Sequence, residues 1–218
     1  MTGIRVQYGA GRSAPPGWLS FDASPRLWLE RLPALGAMAR LRGGRFPREV
    51  RFGNIVDGLK VRPGSASAVF ASHVLEHLSF EDFWRAVRNT QDMLAPGGVF
   101  RLVVPDLKHR AERYVADAAV GDPNAALRFI RETSLGRERR PRSLSQLLRD
   151  RFGASQHLWM WDEASMAAAL DHVGFVAVRR CALGDADDPA FAEVEAPNRF
   201  RFGRTGDAEL AMEARKAG

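Results

Sequence analysis

The chain has 218 residues, 45% of them hydrophobic and 27% charged, which fits one domain, or one domain with a modest insertion, around a real core. A single cysteine, Cys181, excludes a disulfide scaffold and fits a reducing cytoplasm. No apolar run approaches the roughly 18 residues of a membrane span, and MTGIRVQYG lacks the basic, apolar, small order of a signal peptide. The net charge of +6 is nearly all arginine and admits nucleic acid or an anionic substrate, but no basic stretch carries the interleaved aromatics of a strand-binding groove.

Residues 4–8, IRVQY, alternate apolar and polar and stop at Gly9, which predicts a first strand. WLSFD, residues 18–22, predicts a second. Residues 26–41 have helical spacing interrupted by Pro33 and Gly36, so a broken helix is expected. VRFGNI, 50–55, reads as a third short strand. ASAVFAS, 66–72, is almost continuously apolar or small, as in a strand buried on both faces. Ser79 is a good N-cap, with Glu81 and Asp82 in the first turn. Phe80, Phe83, Trp84, Val87 and Leu94 then fall on one stripe, and Ala95-Pro96-Gly97-Gly98 ends that helix.

VFRLVVPD, 99–106, is another buried strand, and 107–120 look helical. About 121–156 reads as a helical insertion. Phe129, Ile130, Leu144, Leu147, Leu148 and Phe152 lie in short helices around an exposed arginine run, GRERRPR. Trp159 and Trp161 form an aromatic cluster. Asp162-Glu163-Ala164-Ser165 opens a helix to about His172, GFVAVRRCAL is a strand, and FRFG, 200–203, reads as the last one. Cys181 in its apolar strand reads as a packed small hydrophobe. The expected organisation is a domain over 1–203 followed by a polar tail, 204–218.

Strands alternating with helices imply an α/β fold, a doubly wound and mainly parallel sheet with helices on both faces. Ligands bind such sheets at the C-terminal strand ends, here Gly9–Gly11, Asp22, Asn54, Ser72–His77 and Asp106. A nicotinamide dehydrogenase is disfavoured. Position 14 is Ala14, followed by Pro15-Pro16-Gly17, which opposes a helix, and Asp22 comes eleven positions after Gly11 rather than about 20.

VLEHL (74–78), MLAPGG (93–98) and FRLVVPDL (100–107), with Pro16-Gly17-Trp18 and Asp22-Ala23-Ser24-Pro25 upstream, resemble class I S-adenosylmethionine-dependent methyltransferases over about residues 4–183. The resemblance implies a seven-stranded Rossmann-like sheet and S-adenosylmethionine as cofactor. It places Tyr8, Gly9, Ala10 and Gly11 at the methionine part and Asp22 at the ribose hydroxyls. Asn54 and Ile55 fall at the adenine, and Ser72 and His73 beside the cofactor. Tyr8, Ala10 and Asn54 depart from the residues usual there.

A hydroxyl acceptor needs its proton removed, and histidine suits proton transfer near neutral pH. His77 is the first base considered and His157 the second, lining the acceptor pocket. His109 and His172 read as helix-surface residues and Asp106 as an N-cap. The spacing His73-x3-His77 lacks third and fourth ligands nearby in sequence, so no metal is expected. Trp159 and Trp161 offer a stacking face or core packing.

The expectation is a cytoplasmic methyltransferase, without membrane attachment, acting at oxygen on a small-molecule or glycan-type acceptor; the acceptor class rests on the resemblance alone. The arginine excess motivates an RNA or protein methyltransferase as alternative. Tyr8, Ala10 and Asn54 motivate a non-catalytic relative.

Overall fold

In the computed structural model, which describes residues 3–31, 45–137, 156–202 and 207–218, the alternation of the sequence becomes one seven-stranded sheet. Its strands are β1 (Ile4–Tyr8), β2 (Trp18–Asp22), β3 (Arg51–Phe52), β4 (Ala66–Ser72), β5 (Leu94–Val104), β6 (Phe175–Arg180) and β9 (Leu210–Lys216), in the order β3-β2-β1-β4-β5-β9-β6. Pairings from β3 through β5 are parallel, while β9 runs antiparallel to both β5 and β6. β7 (Arg201–Phe202) and β8 (Asp207–Ala208) form a separate two-stranded ribbon.

Five helices are described: α1 (Pro25–Arg31), α2 (Phe80–Met93), α3 (Leu107–Ala119), α4 (Ala125–Glu132) and α5 (Glu163–Val173). The Ser79 hydroxyl caps α2 by accepting from the Asp82 amide, and Phe83, Ala86, Val87, Thr90 and Met93 form its buried stripe. α5 opens on a capping box between Asp162 and Ser165 and closes on Gly174 at φ 95°. The main core gathers Val6, Val69, Phe83, Phe100, Leu102, Leu170 and Met212 between sheet and helices.

The polar-tail expectation is overturned. Residues 210–216 form β9, inserted between β5 and β6, and Leu210, Ala211, Met212, Glu213 and Ala214 are all buried. FRFG is therefore not the last strand; Arg201–Phe202 only pairs with Asp207–Ala208. The third strand is shorter than 50–55, because Asn54 caps a 3-10 turn over Ile55–Asp57 instead of extending it. Residues 32–44 and 138–155, with Pro33, Gly36, Leu144, Leu147, Leu148 and Phe152, lie outside the described residues.

Only residues 9–17 join β1 to β2, too few for the crossover helix that parallel neighbours normally use. The sheet face left bare is covered from the far end of the chain. Ala190, Phe191, Val194 and Phe200, in the connection between β6 and β9, pack on Trp18, Ala68, Phe70, Val103 and Ala211. The Phe191 ring meets Trp18 edge-on at 5.5 Å between centroids. Beside it Arg101 of β5, 1% exposed, donates to Glu195 at 2.7 Å, Glu213 at 2.5 Å and Asp185 at 3.0 Å. Burial opposes the guanidinium charge, but these partners win and hold it firmly ionised.

Candidate active site

The C-terminal ends of β1, β2 and β4 meet at one edge of the sheet. Gly9 follows β1 at φ 66°, and a Cβ there would stand 2.0 Å from Val74 Cγ2, so only glycine lets this turn press against the loop after β4. Gly11, at φ 55°, donates its amide to Asp22 Oδ2 at 2.8 Å, and Ser24 donates to Oδ1 at 2.8 Å. The Asp22 carboxylate thus clamps the glycine turn to the start of α1. Each oxygen keeps a second lone pair for an outside donor.

Arg199, delivered by the same late connection that covers the sheet, reaches this edge. Its guanidinium donates to the Ser72 carbonyl at 3.3 Å, lies 3.8 Å from the Cβ position of Gly11 and feels the charge of Asp22. Burial disfavours its charge and Asp22 partly restores it, leaving its pKa below the usual arginine value. Ser72 Oγ is buried with no hydrogen-bond partner among the described residues.

The other expected cofactor residues divide. The Tyr8 side chain turns into the core: its hydroxyl lies 3.2 Å from Thr90 Oγ1, its ring stacks toward Phe100, and burial raises its pKa. Contact between Tyr8 and a ligand at this edge would therefore run through its main chain. Ala10 is buried against Leu27 and Val50. Asn54 uses Oδ1 to accept from the Val56 amide and Nδ2 to donate to Asp57, and the Ile55 side chain is in the core.

Beyond β4 the chain builds a polar cluster. His73 sits at φ 54°, a left-handed conformation uncommon for a residue with a side chain. Its Nδ1 is 3.2 Å from Glu76 Oε1 and its Nε2 is 2.9 Å from the Arg199 carbonyl, so both ring nitrogens are engaged. Burial works against the His73 charge, but the hydrogen bond and charge of Glu76 outweigh it and raise the pKa. Glu76 is fully buried.

The backbone carbonyl of Glu76 accepts from Leu158 and Trp159, which brings the segment before α5 alongside. That segment carries His157 to His77, with ring centroids 5.1 Å apart. Burial, with His77 a lesser contributor, lowers the His157 pKa and favours its neutral form. Trp161 is buried against Phe83 at 4.1 Å, while Trp159 is 42% exposed and tilts over the half-exposed Phe80 at 4.7 Å. His109 lies on α3, His172 packs edge-on against Trp84, and Asp106 caps α3 through the His109 amide.

Sequence reasoning missed Arg199, because no periodicity or motif marks the irregular connection that carries it. Glu76 lay within the VLEHL motif, but its burial depends on the distant His157 segment.

The strand order, the single antiparallel strand and the glycine turn clamped to an acid at the end of β2 define a class I methyltransferase, dependent on S-adenosylmethionine. The chain belongs to the methyltransferase-domain family, whose model matches residues 17–179. It is also similar to solved structures. One is a SAM-dependent methyltransferase from Thermotoga maritima, 14% identical, covering 98% of this chain and 82% of that one at a TM-score of 0.49. Another is a SAM-dependent methyltransferase from Methanosarcina mazei, 15% identical, covering 98% and 92% at 0.48. A third is the 1,6-didemethyltoxoflavin N1-methyltransferase of Burkholderia thailandensis, with its substrate and S-adenosylhomocysteine bound, 17% identical, covering 99% and 72% at 0.47. No curated protein matches the chain. None of the described helices is long and apolar enough to cross a membrane.

Proposed function

We propose that this methyltransferase acts at a hydroxyl oxygen of a small-molecule or glycan-type acceptor. The observation that carries this reading is the buried Glu76 with His77 and His157 grouped just past the end of β4, a set of proton-accepting groups of the kind a hydroxyl acceptor needs. The exposed Trp159 and Phe80 rings beside the cluster suit the flat face of a sugar or aromatic ring.

The residues at the strand ends fit the cofactor. Asp22 retains acceptor capacity for the two ribose hydroxyls, Gly9 and Gly11 let the methionine portion approach the main chain, and Ser72 Oγ is an unpaired buried group at the same edge. Arg199 is the cation placed to meet the methionine carboxylate. Bound there, S-adenosylmethionine supplies a methyl group on a sulfonium, already primed to leave. The chain's own part is to align the acceptor, exclude water and take its proton.

His73 cannot take that proton, since both nitrogens are engaged; His157, whose charge burial disfavours and whose Nδ1 has no partner among the described residues, can. Seven of the arginines, Arg5, Arg101, Arg110, Arg128, Arg179, Arg180 and Arg215, are engaged in ion pairs within the chain.

Transfer of a labelled methyl group to panels of glycosides, phenols, amines and RNA tests the reading. Hydroxyl acceptors should be methylated, and His157→Ala should lower kcat by about 10²–10⁴-fold. Transfer confined to nitrogen or to RNA would contradict it.

A further inference from the structure

The cluster after β4 has a feature that a simple proton acceptor does not require. His77 Nδ1 lies 3.0 Å from the Gln156 carbonyl, so Nδ1 is the donor, and in the neutral ring Nε2 keeps its lone pair. That Nε2 is 3.9 Å from Glu76 Oε1. The His157 ring bonds to the Thr133 backbone carbonyl while its Nδ1 is buried without a partner among the described residues, so the bond falls to Nε2 and Nδ1 is the second lone pair. Glu76 Oε2 is likewise buried with no partner among the described residues.

Three residues that offer electron-pair donors are thus grouped here, and among the described residues no side-chain donor is bonded to Glu76 Oε2 or His157 Nδ1. One ligand atom from each of Glu76, His77 and His157 can be drawn from within 4.8 Å of the other two. Leaving a buried carboxylate oxygen and a ring nitrogen unpaired is costly, and a proton shared between two of the groups still leaves the third unmatched. A backbone carbonyl that holds the outer N–H of a histidine is the arrangement that orients imidazole toward a metal ion.

We propose that Glu76, His77 and His157 form a binding site for a divalent cation of the zinc class. The donor set supports that choice. Two imidazoles and one carboxylate suit zinc, and three protein ligands leave a fourth position for water or an acceptor atom. Calcium and magnesium require more oxygens than this site offers. The His77 and His157 rings, both partly exposed, give the ion a route in from solvent. The inference rests on the reading that the acceptor meets the chain at this end of β4. There the ion would bind the acceptor hydroxyl oxygen and promote loss of its proton to solvent, so that in the metal-loaded chain His157 serves as a ligand in place of its role as proton acceptor. His73, which bonds Glu76 through Oε1, acts as a positioning residue that fixes the carboxylate.

The test uses the whole chain, stripped with a chelator and titrated with Zn2+ against a chromophoric competitor, then with Co2+ while the visible absorption is followed. One ion should bind per chain, and Co2+ should give the intense bands of a four- or five-coordinate nitrogen and oxygen site. His157→Ala and Glu76→Gln should each weaken Zn2+ by about a hundredfold or more, and His172→Ala, on the surface of α5, should leave it unchanged. If His157→Ala fails to fold by circular dichroism, His77→Gln replaces it. Absence of saturable one-to-one binding, or binding unmoved by the substitutions, overturns the site. Hydroxyl methylation by a chain without the metal overturns only this inference; a metal-loaded chain that methylates nitrogen overturns only the acceptor reading.

Discussion

Cys181 illustrates how a residue's chemistry is set by where the fold puts it. Burial, followed by the charges of Asp185 and Glu213, pushes its thiol pKa up to about 12, although Arg101 pulls the other way. The thiolate is the reactive form, so alkylation at pH 8 should run about a thousandfold slower in the folded chain than in denaturant. A folded rate equal to the denatured rate would contradict the burial. The sign for stability follows from the same shift. The contribution is fully present below the ordinary thiol value of 9.0 and is lost as pH rises toward the folded value, because ionisation favours the unfolded chain. At Asp22 the fold instead supplies partners, a carboxylate already holding two backbone amides and still open to two more donors.

Among the elements, β9 depends on one buried ion network. Glu213 faces Arg101 and Arg179, and these arginines allow a carboxylate into a strand that is otherwise apolar on its buried positions. Arg101→Ala removes the shared cation and leaves Glu195 and Glu213 buried without it. We expect a loss of about 3–5 kcal/mol of stability by denaturant unfolding, and a change under about 1 kcal/mol, in the range of a surface pair, would contradict the network.

The same network explains why β9 was not legible in the sequence. LAMEARK carries two basic residues and one acid, and reads as solvent-exposed until its partners, more than a hundred positions earlier for Arg101, are known. By contrast β4, α2 and α5 were legible because their signals are local: a continuous apolar run, a serine cap with a 3.6-residue stripe, and a capping box ended by glycine.

For the whole molecule, the connection between β6 and β9 does two jobs. Its apolar half replaces the helix that the short link from β1 to β2 cannot form, and its end places Arg199 over Gly11 and Ser72. Stability of the sheet face and completion of the proposed cofactor edge are therefore coupled through one segment. The candidate site was legible where glycine, acid and strand ends lie close in sequence. It was not where Arg199 arrives from afar, since only packing brings it there; His157 was a candidate from the sequence, but its place beside His77 depends on packing too.

The measurement that tests the central claim most directly is calorimetric titration of the chain with S-adenosylhomocysteine, repeated on Asp22→Ala. The account predicts one-to-one binding in the micromolar range for the parent chain. For the variant it predicts a loss of about 1–3 kcal/mol, from ribose hydroxyls left without their acceptor and a loosened glycine turn. No binding by the parent chain, or equal affinity in the folded variant, would contradict the placement of the cofactor at the ends of β1, β2 and β4.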